Sequence, residues 1–199
     1  MARNACLLFL LFGILLELPS PVRAQDRSAE VRRFLEQRDR EIKDVLGDRE
    51  TFTDEQREQL KRVINDGIDF TAMGRAALGP FWADPAPAQR EEFVDVFSRI
   101  VRNQSLSDLD VYRSVVTYGN ITANDTMAYV TTTTVYKDIP TKVEYVLGRT
   151  DRQWQVRDII LDDVSTAEGY ARSFQSVVRK RGFDSLMNSL RKKLDGMRS

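Results

Sequence analysis

Few residues of this sequence could carry out chemistry, because it contains no histidine and a single cysteine, Cys6. Ser-His and Cys-His nucleophile pairs are therefore excluded, and so are ordinary zinc sites. The sequence also has no glycine-rich loop of the kind that cradles phosphate groups. Any catalytic group would have to be an Asp, Glu, Tyr or Lys side chain.

Asp158 is the carboxylate that most needs an explanation. A regular strand would place it on the same face as Trp154 and Val156, where a buried carboxylate is costly without partners. One interpretation is a general base with Tyr118 or Tyr145 as the proton donor. The alternative is a structural carboxylate at a strand end or bulge, paired with Arg or with backbone N–H groups.

Large apolar residues are concentrated in residues 69–112, on both sides of a predicted bend. The Gly-Pro pair at residues 79–80 predicts a helix end, because Gly adopts the left-handed cap and Pro cannot continue the helix. The Asp-Pro pair at residues 84–85 predicts the start of a long helix that reaches Tyr112. Ordinary core packing accounts for these apolar residues, and so does the lining of a cavity.

The N-terminal residues have the features of a secretory signal peptide. A basic start is followed by an apolar run at residues 7–16 and by the small residue Ala24 before a hydrophilic segment. The apolar run is about half as long as a membrane-spanning helix, and Cys6 precedes it, whereas a lipoprotein cysteine would follow. We expect residues 1–24 to be removed and residues 25–199 to form a single domain.

Charge and cysteine content narrow the class of protein. The chain has 30 basic and 30 acidic residues, so its formal net charge is zero and gives no support for a nucleic-acid partner. After removal of the signal peptide no cysteine remains, as is usual for a bacterial periplasmic protein.

The hydrophobic periodicity changes from helical to strand-like near residue 112 and back near residue 165. Before the change, helices are predicted within residues 31–46, from a capping box at Thr53 and Gln56, and on either side of the bend. Strands are predicted at residues 114–118, 127–136, 142–149 and 154–161, and two further helices at residues 165–182 and 183–194. This order predicts an α+β fold in which a curved antiparallel sheet is covered by helices.

Many of these residues form a pattern that covers nearly all of the expected mature chain. Its first part is Asp69, Met73, Leu78, Gly79, Trp82, Gln89, Arg90, Phe93 and Phe97. Its second part is residues 154–160, Val164, Ser165, Tyr170, Phe174 and residues 182–186. The pattern resembles the MlaC family of periplasmic phospholipid-shuttle proteins, also called the toluene-tolerance family. This sequence has Asp163 where the family usually has Gly, and Ala171 where an Arg often follows the tyrosine.

The resemblance implies a cone similar to nuclear transport factor two, which encloses a hydrophobic pocket. It implies that a phospholipid is held as cargo, with no cofactor, no metal and no catalysed reaction. Phospholipid would be shuttled across the periplasm between an outer-membrane lipoprotein–porin complex and an inner-membrane ABC transporter with an MCE-domain subunit. This traffic would maintain the lipid asymmetry of the outer membrane.

We expect the pocket to be lined by apolar residues from the helices and from the sheet. The helical residues are Phe70, Met73, Leu78, Phe81, Trp82, Phe93, Phe97, Ile100 and Val101. The sheet and the closing helix are expected to supply Val116, Val143, Tyr145, Leu147, Trp154, Val156, Tyr170 and Phe174.

Two alternative functions remain open: a small cone-fold enzyme that uses Asp158, and a secreted adaptor whose apolar surface packs against a partner protein. A closed apolar volume favours the carrier, a small pocket with a polar floor favours the enzyme, and a filled core favours the adaptor.

Overall fold

The computed structural model describes residues 21–151 and 153–197, and these contain six α-helices and five β-strands. The α-helices are α1 (Pro21–Leu46), α2 (Asp54–Asn65), α3 (Phe70–Leu78), α4 (Pro87–Gln104), α5 (Thr166–Arg181) and α6 (Phe183–Asp195). The strands are β1 (Val116–Ala123), β2 (Met127–Tyr136), β3 (Ile139–Thr150), β4 (Gln153–Leu161) and β5 (Val164–Ser165). Short 3-10 helices lie at Gly79–Trp82 and Leu109–Arg113. Within these described ranges, no helix is both long and apolar enough to cross a membrane.

The strands form one sheet in the order β1-β2-β3-β4-β5, and each neighbouring pair is antiparallel. This confirms the predicted α+β fold and the predicted bounds of β2. Alternate residues of β2, from Ala128 to Thr134, are buried, and the residues between them are exposed or half-buried. The sheet therefore has an inner face, which carries Ala128, and an outer face, which carries Tyr129.

The strands β1 and β3 extend several residues beyond their predicted limits, β4 begins one residue earlier than predicted, and β5 was not predicted. The structure shortens the turn expected at residues 137–140 to Lys137 and Asp138, both with positive φ, which is the geometry of a two-residue hairpin loop. At β1, a bulge between Tyr118 and Ile121 lets the strand continue through the Gly-Asn pair that follows Tyr118.

The predicted limits of α4 are wrong at both ends. The helix begins at Pro87, because the Gln89 side chain accepts a hydrogen bond from the Ala86 N–H at 2.9 Å and so closes the first turn. It ends at Gln104, well before Tyr112. Ser105 is the C-cap residue of the helix, and its hydroxyl donates to the Arg102 carbonyl at 2.8 Å. Tyr112 belongs to the second 3-10 helix.

Several predicted helix ends are confirmed. The Thr53 hydroxyl accepts the Gln56 N–H, and the Gln56 side chain accepts the Thr53 N–H, as a capping box requires. Gly79 has a φ of 54° at the end of α3, and Gly182 has a φ of 81° between α5 and α6. Asp163, which stands where the family usually has Gly, also has a positive φ of 66°.

Helix α1 begins at Pro21 and so crosses the expected cleavage site after Ala24. Residues 1–20, which contain most of the predicted signal peptide, lie outside the described residues. The signal peptide and the single domain at residues 25–199 therefore stay predictions.

Two hydrophobic cores hold the domain together. The helical core lies among α3, α4, α5 and α6, and the sheet core lies between α1 and the inner face of the sheet. The helical core comprises Met73, Ala77, Leu78, Phe93, Val96, Phe97, Ile100, Phe174, Leu186, Met187, Leu190 and Leu194. The sheet core comprises Val31, Leu35, Ala128, Val130, Leu147, Trp154 and Val156. Ile68 is half-buried and packs against both cores, so it marks the junction between them.

Candidate functional site

The residues predicted to line one pocket are divided between the two cores. Members of the helical core or packed against it are Met73, Leu78, Trp82, Phe93, Phe97, Ile100, Val101, Tyr170 and Phe174. Members of the sheet core or packed against it are Tyr145, Leu147, Trp154 and Val156. Phe70 and Val143 are buried outside both groups, while Phe81 and Val116 are half-buried. The structure thus brings most of these residues into two groups, and their contact with lipid stays a prediction.

The helical core is closely packed. The Phe93 and Phe97 rings are stacked with centroids 5.8 Å apart, and Phe174 meets them edge-on at 6.0 and 5.7 Å. Tyr170 approaches Phe97 edge-on at 4.9 Å, and its hydroxyl hydrogen-bonds to the Gln104 side chain at 3.0 Å. Such aromatic pairs contribute specific stabilisation beyond the burial of their area. In this conformation the aromatic rings contact one another, as they would in the filled core that favours the adaptor alternative.

The segment 67–69 places Ile68 at the junction of the two cores. The Val156 N–H donates to the Gly67 carbonyl at 2.7 Å, and the Asp69 N–H donates to the Val156 carbonyl at 2.9 Å. This short pairing extends the edge of the sheet beside β4 and holds Ile68 between the strand and the helical core. Ile68 was not among the residues predicted for the site, although an apolar residue directly before a capping Asp is a usual anchor of a helix start.

Asp69 joins the helical core to the sheet. Its carboxylate accepts the Ala72 N–H at 2.9 Å, which caps α3, and it accepts Arg157 Nε at 3.2 Å. The Arg157 side chain reaches Asp69 across Gly148, where an added Cβ would lie 1.9 Å from the guanidinium carbon. Gly148 is therefore needed for this contact. An ion pair and a cap on one carboxylate fix the entry of α3 against β4.

Two open clefts lie near the segment 67–69, and one of them is lined by Ile68. The α2 cleft, of about 630 Å³, is lined by Arg38, Glu41, Glu58, Lys61, Arg62, Val63, Asn65, Asp66, Gly67, Ile68, Arg102 and Gln155. The Trp154 cleft, of about 500 Å³, is lined by Glu30, Phe34, Arg38, Asp66, Gly67, Arg149, Gln153, Trp154 and Gln155. The ion pair between Arg38 Nη1 and Asp66 Oδ2 involves residues that line both clefts, so it lies where the clefts meet. Both clefts have volumes typical of small-ligand sites.

Three tyrosines of the sheet and the second 3-10 helix have raised pKa values. Burial raises the pKa of Tyr145 to about 12, and the Asp39 carboxylate adds to this shift. Burial also raises the pKa of Tyr112 to about 12 and raises that of Tyr118, with a further contribution to both from Tyr145. The three phenols therefore stay protonated well above the ordinary tyrosine pKa of about 10. Tyr145 contributes to the pKa shifts of the other two tyrosines, and Asp39 of α1 contributes to that of Tyr145. The three side chains therefore lie near one another beside α1.

These shifts predict how stability depends on alkaline pH. Because the folded pKa values exceed the unfolded value of about 10, the protonated tyrosines favour the folded state below that pH. This contribution to the free energy of unfolding is expected to be lost as the pH rises from about 10 to about 12. Near-ultraviolet titration should show Tyr112, Tyr118 and Tyr145 ionising later in the native protein than in denaturant. Superimposable curves in the two solvents would contradict the predicted burial.

Asp158 lies at a bulge, so the regular strand that would place it on the same face as Val156 is not formed. Val156 pairs with Leu147 and Asp158 pairs with Val146, which leaves Arg157 as the extra residue. The bulge turns Asp158 to the outer face, whereas Tyr118 and Tyr145 both pack against the sheet core. The geometry therefore separates Asp158 from both predicted proton donors.

The Asp158 carboxylate caps the start of α5. One oxygen accepts the Ala167 N–H at 2.9 Å, and the other accepts the Ser165 hydroxyl at 2.5 Å. Ser165 in turn accepts the Glu168 N–H at 3.0 Å as the N-cap of that helix. These contacts are those of the structural interpretation, a bulge carboxylate bonded to backbone N–H.

Substituting Asp158→Asn is expected to lower the free energy of unfolding by about 1–3 kcal/mol, because charge-assisted hydrogen bonds at the start of α5 are weakened. Lipid binding is expected to stay unchanged. Urea unfolding and a lipid-binding assay measure the two quantities, and Asp44→Asn, an exposed change on α1, serves as the control. A stable variant that loses a measurable activity would instead support the catalytic interpretation.

In the described part of the chain, no group of three or more Asp, Glu, His or Cys residues is placed to hold a metal ion. The candidate site consists of the α2 cleft, which is lined by charged side chains and by Ile68, and of the two apolar cores against which Ile68 packs.

Within the residues that the structure describes, six α-helices and a five-stranded antiparallel sheet form an α+β domain, which is the fold class that the resemblance implied. The sequence matches the MlaC protein family over residues 36–192, so the chain belongs to that family. A search of curated proteins found no match. The structure is similar to that of a phospholipid-binding protein from Ralstonia solanacearum in complex with a phospholipid, with a TM-score of 0.72 and 22% sequence identity. The match covers 87% of this chain and 99% of that chain, and at this identity it establishes a shared fold.

Proposed function

We propose that this protein binds a phospholipid and carries it through the periplasm between an outer-membrane lipoprotein–porin complex and an inner-membrane ABC transporter with an MCE-domain subunit. The observation that carries the proposal is the junction at Ile68, which packs against both apolar cores and also lines the open α2 cleft. Membership of the MlaC family and the fold shared with a phospholipid-binding protein support it. Such traffic would maintain the lipid asymmetry of the outer membrane.

A phospholipid needs a carrier because its acyl chains are costly to expose to water. A diacyl phospholipid has roughly 30 CH₂ groups, and at about 0.8 kcal/mol each their exposure to water costs on the order of 20 kcal/mol. A carrier must offer apolar surroundings nearly as favourable as the bilayer. Surroundings much more favourable than the bilayer would prevent delivery. Carrying a lipid therefore requires a balance between the affinities of the protein and the bilayer, and it requires no reaction and no cofactor.

The acyl chains are proposed to enter at the junction and to separate the two cores. Ile68 has apolar neighbours on both sides, from the helical core and from the sheet core. Since the aromatic rings of the helical core already contact one another, lipid entry has to replace ring–ring contacts by ring–chain contacts. The apolar area in contact is then preserved, which keeps the free-energy cost of opening small.

Native mass spectrometry of the full chain, expressed in a Gram-negative bacterium and purified from the periplasm, tests lipid binding. We expect one phospholipid per protein, identified after extraction with organic solvent. Transfer of that lipid between donor and acceptor vesicles, each carrying one of the membrane complexes, then tests the shuttle. Recovery of processed protein from the periplasm tests the predicted signal peptide.

The filled helical core also favours a second candidate, the adaptor whose apolar surface packs against a partner protein. A folded protein that carries no lipid and takes none from phospholipid vesicles would reject the carrier and leave the adaptor. The two candidates are therefore separated by the same experiment.

A further inference from the structure

The α2 cleft combines four cations with three carboxylates, and most of these charges are already paired. Arg38 forms ion pairs with Glu41, at 2.8 Å, and with Asp66. The Lys61 ammonium lies 2.6 Å from the carboxylate of Glu58. All three carboxylates that line the cleft are thus accounted for by Arg38 and Lys61.

Two guanidinium groups of the cleft keep uncompensated charge. Arg62, on α2, is exposed and has no ion pair among residues 21–151 and 153–197. Arg102, on α4, likewise has no carboxylate partner in the described structure, and its guanidinium carbon lies 5.0 Å from the centroid of the Phe70 ring. Stacking on Phe70 restricts the orientation of Arg102. Two such groups on facing helices form a suitable site for a phosphate, whose oxygens match the planar guanidinium donors.

The floor of the cleft contains polar groups with unmet hydrogen-bonding capacity. Asn65 is 3% exposed, and its Nδ2 donates to the Lys61 carbonyl at 2.8 Å and to the Ser105 hydroxyl at 2.9 Å. The Asn65 Oδ1 and Arg38 Nε atoms are buried without a partner. Because buried polar groups are nearly always paired, the unmet Arg38 Nε donor indicates that an acceptor, such as a phosphate oxygen, completes this cleft.

The same cleft also has an apolar part, formed by Val63 and Ile68. Ile68 packs against both cores, so a ligand held at the guanidinium groups has a direct apolar path to the junction. A ligand that matches this arrangement has a phosphate at one end and hydrocarbon at the other.

We propose that the α2 cleft binds the phosphodiester of the carried phospholipid, with Arg62 and Arg102 contacting the phosphate oxygens and the acyl chains passing Ile68. This inference rests on the proposed carrier function and assigns the end of the lipid that the cleft recognises. The cleft contributes to affinity through the phosphate, and the two cores contribute through the hydrocarbon.

The test compares two probes that have the same fluorescent acyl chains, phosphatidylglycerol and diacylglycerol, of which only the first has a phosphate. The full-length double variant Arg62→Gln, Arg102→Gln removes both charges and keeps most of each aliphatic stem. We expect it to bind phosphatidylglycerol about tenfold or more weakly than the native protein, since hydrogen bonds to charged groups are lost. Its binding of diacylglycerol is expected to stay unchanged.

Arg57→Gln with Arg179→Gln is the matched control, because it removes two exposed arginines that do not line the cleft. We expect this control to bind both probes as the native protein does. A cleft variant that retains native affinity for phosphatidylglycerol, or that loses both probes equally, would overturn the assignment while leaving the carrier intact. Native protein that binds neither probe would instead reject the carrier function itself.

Glycerol 3-phosphate, which has the phosphate but no acyl chains, identifies the source of the ligand. Weak binding relative to phosphatidylglycerol is expected, because the hydrocarbon supplies most of the affinity. Binding of glycerol 3-phosphate as tight as that of the lipid would overturn the proposal in favour of a site for a soluble phosphate ester.

Discussion

Substituting Ile68→Glu is expected to reduce the phospholipid bound per protein by about tenfold or more. A carboxylate at the junction would lose water when the acyl chains pass, and this desolvation costs on the order of a few kcal/mol, enough for a tenfold loss. Because Ile68 is half-buried and lines the α2 cleft, the glutamate can turn toward the cleft, and the fold is expected to persist. Solvent extraction followed by mass spectrometry measures the bound lipid.

Ile139→Glu is the matched control for this prediction. It makes the same chemical change at the start of β3, at a side chain that is 64% exposed and belongs to neither core. The control is expected to carry native amounts of lipid. If Ile68→Glu remains folded with full lipid occupancy, the acyl chains do not enter between the two cores, and the proposed path is wrong.

Truncating Phe97 has the largest expected effect on stability. Phe97 is fully buried and contacts Phe93, Tyr170 and Phe174, which come from two different helices. Replacing a buried Phe by Ala removes its transfer free energy and leaves a cavity, at a cost of about 3–5 kcal/mol. We therefore expect Phe97→Ala to lower the free energy of unfolding by about that amount in urea denaturation.

The control for Phe97→Ala is Tyr129→Ala, because the Tyr129 side chain is 56% exposed on the outer face of the sheet. Loss of that aromatic ring is expected to change the free energy of unfolding by less than about 1 kcal/mol. If the two variants are equally stable, the helical core does not dominate the stability of the domain. The mutant cavity is also expected to accept hydrocarbon, so added phospholipid should restore part of the lost stability.

Sequence periodicity was sufficient for most of the secondary structure, and its failures have local causes. The strand β2 and the helix ends at Gly79 and Gly182 are as predicted, since they depend on alternation of side chains or on a glycine with positive φ. The end of α4 was missed because it depends on Ser105, whose hydroxyl also accepts a hydrogen bond from Asn65 on another helix. The residue pattern of α4 by itself does not reveal this contact with α2.

The sequence left two interpretations of Asp158 open, a catalytic base and a structural carboxylate. The bulge decides on which face of the sheet Asp158 lies. A single extra residue in β4 reverses the face on which Asp158 lies, and the start of α5 then supplies its hydrogen-bond donors. A bulge depends on pairing between strands, so the sequence of one strand does not specify it.

The sequence by itself determined the α+β class, the family and the apolar composition of the candidate site. These follow from local periodicity, capping residues and a pattern of residue types, all of which are present in the chain before it folds. Only the tertiary structure divided the apolar residues into two cores, placed Ile68 at their junction and brought Arg62 and Arg102 to one cleft. Those relations join residues on separate helices and strands, and they arise from the packing of these elements against one another, which periodicity along the chain does not encode.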